Sequence, residues 1–165
     1  MARGVKTLTA VQDVVRDLTE AFVNDIVDIN GTLLLATKQI LKGDPNRRHE
    51  DPISVESVVN KYYVTHLAGD VFDEDDRDNL MPIGRALIKV WAERIAFRFP
   101  GRRVLFFLGG EESVIVRFHV RREGQHDWAS LEDRKFLRKA HLEVYELDLD
   151  GRLSRLHPPP RKRRG

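Results

Sequence analysis

The sequence predicts an α+β fold, and three observations carry that prediction. Two apolar-periodic segments precede the first strand-like run. A further amphipathic helix ends at Phe99-Pro100-Gly101. After it, alternating segments follow one another to the closing Asp150-Gly151 turn. Helices followed by mostly antiparallel strands pack as segregated layers. The order predicts a curved, mostly antiparallel sheet wrapped around the N-terminal helices and one long helix, with a cone-shaped cavity between them.

The elements follow in chain order. Val11, Val14, Val15, Leu18, Phe22, Ile26 and Ile29 recur at helical spacing, which predicts a helix from about Thr9 to Asp28. Asn30-Gly31 reads as its stop and Thr32 as the cap of a second helix, Leu33 to Leu41. The charged, proline-bounded stretch 43–52 reads as a loop, and 54–59 as a short helical turn. Lys61 to Leu67 is β-branched and aromatic, hence a strand, and Asp70 to Asn79 is an acid-dense loop. Pro82 suits the first turn of the long helix, whose buried face is Ile83, Leu87, Val90, Trp91 and Ile95, with Phe97 also assigned to the core. Residues 103–108, 113–122 and 139–147 alternate as half-buried strands, 152–156 form a last short one, and 123–138 are a polar insertion.

Composition narrows the function classes. The 165 residues suit one domain, taken as 1–157, with 158–165 a disordered basic tail. No apolar run can span a bilayer and the first residues lack a secretory core, so a cytoplasmic protein without a membrane partner is expected. The absence of cysteine removes disulfides and thiolate chemistry. Of the 28 Lys and Arg, four lie in the last five residues, leaving 24 against 26 acidic ones. The net charge of +2 therefore belongs to the tail, and nucleic acid is not expected as a partner of the body. The tail itself, Arg161 to Arg164, could serve localisation, nucleic-acid contact or solubility alone.

Several constellations are set aside on spacing. The acidic loop lacks the alternating ligands and central glycine of a calcium loop. His126 and His141 have no partner at metal-ligand spacing, so no metal is expected. Gly109-Gly110 joins two strands and is a hairpin turn rather than a phosphate loop.

Strand alternation yields the candidate site. His141, Glu143, Tyr145 and Leu147 share one strand face, and Ile115, Arg117, His119 and Arg121 share another. If those two strands pair antiparallel, His119 or Arg117 comes within side-chain reach of Glu143 or His141. A carboxylate beside imidazoles in an apolar cup suits proton transfer at carbon, with Tyr63, Tyr145 or Arg117 donating to an enolate oxygen. The competing expectation is a strand surface whose charges merely face solvent. Trp91 is placed in the core, with pocket lining as a second role.

Five local patterns together resemble a known family. They are Tyr63-Val64-Thr65-His66, Gly84 at the long helix, Phe99-Pro100-Gly101, the segment 110–116 with His119 beyond it, and Leu142-Glu143-Val144-Tyr145 followed by Asp150-Gly151-Arg152-Leu153. From about Val11 to Leu156 the chain resembles the SnoaL-like polyketide cyclases of the nuclear transport factor 2-like superfamily. The departures are a longer first helical region, expanded segments 69–82 and 123–138, and Glu143 where cyclases carry aspartate. The resemblance implies a cystatin-like, cone-shaped α+β barrel that forms homodimers. It also implies a cofactor-independent lyase, isomerase or cyclase acting on a small hydrophobic carbonyl compound. Catalysis would then fall to Glu143, His119 and His66, and substrate binding to Tyr63, Trp91, Arg117, His141 and Tyr145. The alternative is a non-catalytic ligand-binding or dimeric interaction module of the same fold.

Overall fold

The computed structural model describes residues 19–36, 51–65 and 77–157. The loop at 43–50, His66, most of the acidic loop and the basic tail lie outside the described residues, as do the predicted helical residues 9–18 and 37–41.

The first described segment departs from expectation. Residues 19–23 are helical, but the chain then forms a hairpin of β1 (Ile26–Ile29) and β2 (Thr32–Leu35). Asn30 and Gly31 adopt φ of 55° and 83°, and the Asp28 carboxylate accepts the Gly31 N–H at 2.7 Å. Positive φ at both central residues is what a two-residue hairpin turn requires, and Asn-Gly supplies it cheaply. The predicted helix through Asp28 and the second helix from Leu33 are therefore corrected. Ile26 and Ile29 continue the helical period of the residues before them, but they lie in β1, the arm of the hairpin that leads into the turn.

Helix α1 (Pro52–Val59) starts at Asp51, whose side chain accepts the Ser54 N–H at 2.9 Å. It projects two fully buried polar side chains one turn apart, Glu56 and Asn60. The Asn60 amide accepts the Leu35 N–H at 2.8 Å and donates to the Leu33 carbonyl at 2.7 Å and the Phe118 carbonyl at 3.2 Å. The Glu56 carboxylate accepts the Leu33 N–H and the Val120 N–H, each at 2.9 Å. Arg122 closes on the same carboxylate at 2.8 and 2.9 Å. Side chains thus take the place of a neighbouring strand along the inner edge of β2.

The main sheet runs β3 (Lys61–Tyr63), β5 (Ile115–Val120), β4 (Val104–Gly109), β6 (Glu143–Leu147) and β7 (Leu153–His157), antiparallel throughout. Helix α2 (Arg77–Arg98) lies on one face. It already runs at Arg77, so Pro82 sits in its second turn, on the exposed side, instead of opening it. The helix ends where Phe99-Pro100-Gly101 predicts, with Gly101 at φ 75°. Its buried face is Leu80, Gly84, Leu87, Ile88, Trp91, Ala92 and Ile95. Trp91 is fully buried, edge-on to Phe118 at 5.7 Å and to Tyr62 at 6.1 Å. Phe97 is not core but 88% exposed.

Gly84 marks the closest approach of helix and sheet. A Cβ there would sit 2.3 Å from a methyl of the fully buried Leu108. Gly84→Ala should therefore destabilise by about 1–3 kcal/mol through overpacking, although alanine favours helix. The denaturation midpoint checks this, and an unchanged midpoint would mean that Leu108 can swing aside.

The opposite sheet face is also covered. The insertion read as polar folds back as Trp128, Ala129, Leu131 and a short helix α3 (Arg134–Lys139), capped by Asp133. Leu137, Ala140 and Leu142 press on Leu105, Phe107 and Val144. The predicted strand 139–147 is thus cut back to 143–147, because its first residues belong to this cover. Strand β4, between the two layers, is buried along all six residues. The Asp-Gly turn forms as expected, with the Asp148 carboxylate accepting the N–H groups of Asp150 and Arg152 at 2.9 and 2.8 Å.

Candidate functional site

The register decides which side chains can meet. Strands β5 and β6 are not neighbours; each pairs with β4. Phe106 stands opposite Phe118 and Tyr145, whereas Leu105 stands opposite His119 and Glu146. Opposed residues of an antiparallel pair share a face. Glu143 and Tyr145 therefore lie on the α2 side, and Arg117 and His119 on the other. The expected cluster of Glu143 with His119 or Arg117 is corrected: the sheet itself separates them. His141 is not on the strand at all. It is exposed, at φ 51°, its carbonyl accepts from Arg77 at 3.0 Å and its main-chain N–H donates to the Arg138 carbonyl at 3.1 Å.

Glu143 sits fully buried at the start of β6. Arg85 grips it with both ends of its fork, Nε to Oε2 at 3.0 Å and Nη2 to Oε1 at 2.7 Å. Arg155 of β7 reaches Oε1 at 2.7 Å, and the Tyr145 hydroxyl donates to Oε2 at 2.5 Å. Burial pushes this carboxyl up, but the hydrogen bonds from Arg85 and Tyr145 and the charge of Arg155 outweigh it and hold it below the usual glutamate value. Burial and the same carboxylate push Tyr145 up to about 12. The hydrogen bond to Glu143 likewise raises Arg85. Chemically this is an anion fixed by charge-assisted bonds, with both oxygens occupied.

His119 is equally closed off. It is fully buried and stacked on Phe107 at 5.7 Å. Its Nε2 accepts the Trp128 N–H at 3.3 Å, which places the proton of the neutral ring on Nδ1, 3.2 Å from the Val120 carbonyl. Burial lowers its pKa despite the Asp127 carboxylate 3.9 Å away. The imidazole holds the insertion against the sheet and meets no open surface.

The other sequence-predicted residues divide. Trp91 is core, donating to the Ala21 carbonyl at 3.2 Å, and His66 lies outside the described residues. Tyr63 and Arg117 do come together, on the face away from α2, because Lys61 pairs with Arg117 and Tyr63 with Ile115. There Lys61 Nζ lies 4.3 Å from the Tyr63 ring centre, and the Arg117 guanidinium 4.4 Å from that of Trp128. Burial lowers the pKa of Arg117. Sequence reasoning missed Arg85, Arg155 and Lys61. For the first two the only signal was an unpaired buried acid on a strand, which demands cations from somewhere. Among the described residues, no group of three or more His, Asp or Glu could hold a metal ion, and no helix is long and apolar enough to cross a membrane.

No family model, curated protein or solved structure matches this chain.

Proposed function

We propose that this chain is a non-catalytic binding module. The observation that carries the reading is the Glu143 carboxylate, the group that acid–base catalysis would need as its base. Two guanidinium groups and a phenol bind it in a buried position, and its proton affinity is lowered. A general base works best with a pKa near the operating pH and an open path to the proton it removes. The resemblance further implies a cone-shaped barrel of the nuclear transport factor 2-like kind. That finer architecture is part of the proposal, supported by α2 lying along one face of the antiparallel sheet. Trp91, Phe106 and Phe118 would then fill the cone, leaving its apolar interior as core.

The deciding experiment follows α-proton exchange of a small β-diketone in deuterated buffer by NMR. The rate with protein should equal that of buffer alone. Exchange accelerated by the protein and lost in Glu143→Gln would restore the cyclase-type reading and end this one.

A further inference from the structure

The sheet face away from α2 carries a cation pair that no carboxylate among the described residues neutralises. Elsewhere on the same side, charges are matched: Arg103 and Arg121 share Glu146, and Arg121 also approaches Asp127 at 3.6 Å. Lys61 and Arg117 stand directly opposite each other on β3 and β5. Among the described residues neither has a carboxylate within ion-pair distance. Like charges at directly opposed positions destabilise a sheet. A half-buried guanidinium with no counter-charge among the described residues adds a desolvation cost, which the cation–aromatic contact only partly offsets.

The surroundings are pre-formed. The main-chain N–H of Trp128 is tied to His119 and its indole lies edge-on to Phe107 at 5.1 Å, so the wall against which Arg117 rests is held in place. An oxyanion placed between Lys61 and Arg117 would remove the repulsion and the unmet charge together. It would also use the planar fork of the guanidinium and the point charge of the ammonium.

We propose that Lys61 and Arg117 form a receptor for a phosphate group carried by a small ligand, with Trp128 as one wall of the site. Two cations at directly opposed positions of neighbouring strands fit a dianion better than a single carboxylate. The proposal extends the binding-module reading by giving it a ligand class, and it uses none of the residues on which that reading rests.

The test uses the full chain and inorganic phosphate, titrated against sodium chloride at equal ionic strength. Phosphate should raise the melting temperature saturably by about 3 °C or more and change the emission of the half-exposed Trp128. Sodium acetate at the same ionic strength should have less than about a tenth of the effect. Lys61→Gln and Arg117→Gln should each weaken the response at least about tenfold. Arg155→Gln, which removes an arginine already engaged by Glu143, should leave the phosphate affinity unchanged. Without phosphate, Lys61→Gln should melt no lower than the parent, because it removes an uncompensated charge. No saturable response, an equal response to acetate, or a response that survives both variants would overturn the proposal. Should Arg117→Gln fail to fold, Lys61→Gln carries the test alone. The β-diketone exchange assay reads Glu143 on the opposite face, so failure of one experiment leaves the other standing.

Discussion

Glu56→Ala should cost about 3–5 kcal/mol, the range seen when one partner of a buried ion pair is removed. The carboxylate is fully buried and accepts from two main-chain N–H groups, Leu33 and Val120, as well as from both terminal nitrogens of Arg122. Its removal leaves those two amides without their acceptor and Arg122 facing the gap, still donating to the Gly31 carbonyl at 2.9 Å. Each unsatisfied buried group carries its own desolvation penalty of about 1–3 kcal/mol. Urea unfolding gives the total. Hydrogen exchange gives the location, since the Leu33 and Val120 amides should lose protection first. A loss below about 1 kcal/mol would show that water replaces the carboxylate without penalty.

Glu143→Gln should be the second most damaging change, by about 2–3 kcal/mol at neutral pH. That figure is reduced from the fully buried case because Arg85 and Arg155 remain partly in solvent. The variant also changes the pH dependence. A carboxyl whose folded pKa is depressed stabilises the fold above its unfolded pKa, and that stability is lost as pH falls through the folded value. The parent should therefore weaken below about pH 4, and in Glu143→Gln that limb should become shallower, the remainder including Asp51, whose carboxyl the Ser54 N–H also holds low. Tyr145 acts at the other end. Its pKa is raised to about 12, so its contribution is complete below the ordinary tyrosine value and declines as pH climbs towards 12. Unfolding free energies measured across pH check both limbs. An acid limb undiminished in Glu143→Gln would assign it to other carboxylates.

The strands after α2 were legible because their patterns are local. VLFFLG and IVRFHV are β-branched or aromatic, and Pro100-Gly101 and Asp150-Gly151 punctuate them. The hairpin at Asn30-Gly31 was also written locally, but the apolar residues before it satisfied a helical period and that reading prevailed. What local pattern could not supply was relative parity. Alternation shows that Arg117 and His119 share a face, and that Glu143 and Tyr145 do. Whether the two faces coincide depends on β4 between them, and a shift of one residue reverses the answer. The site assembled from Glu143 and His119 failed on that point. The grip of Arg85 and Arg155 on Glu143 was invisible for a related reason: it joins residues 58 and 12 positions apart through a fold that no short window contains.

Strand β4 divides the interior into two apolar layers with a common wall, and residues 128–142 make up most of the second. A stretch that reads as surface decoration is therefore structural lining. Shortening it in a truncated version would bare Leu105, Phe107 and Val144 side by side as a flat, water-repelling panel. Such a panel invites other copies to stick to it.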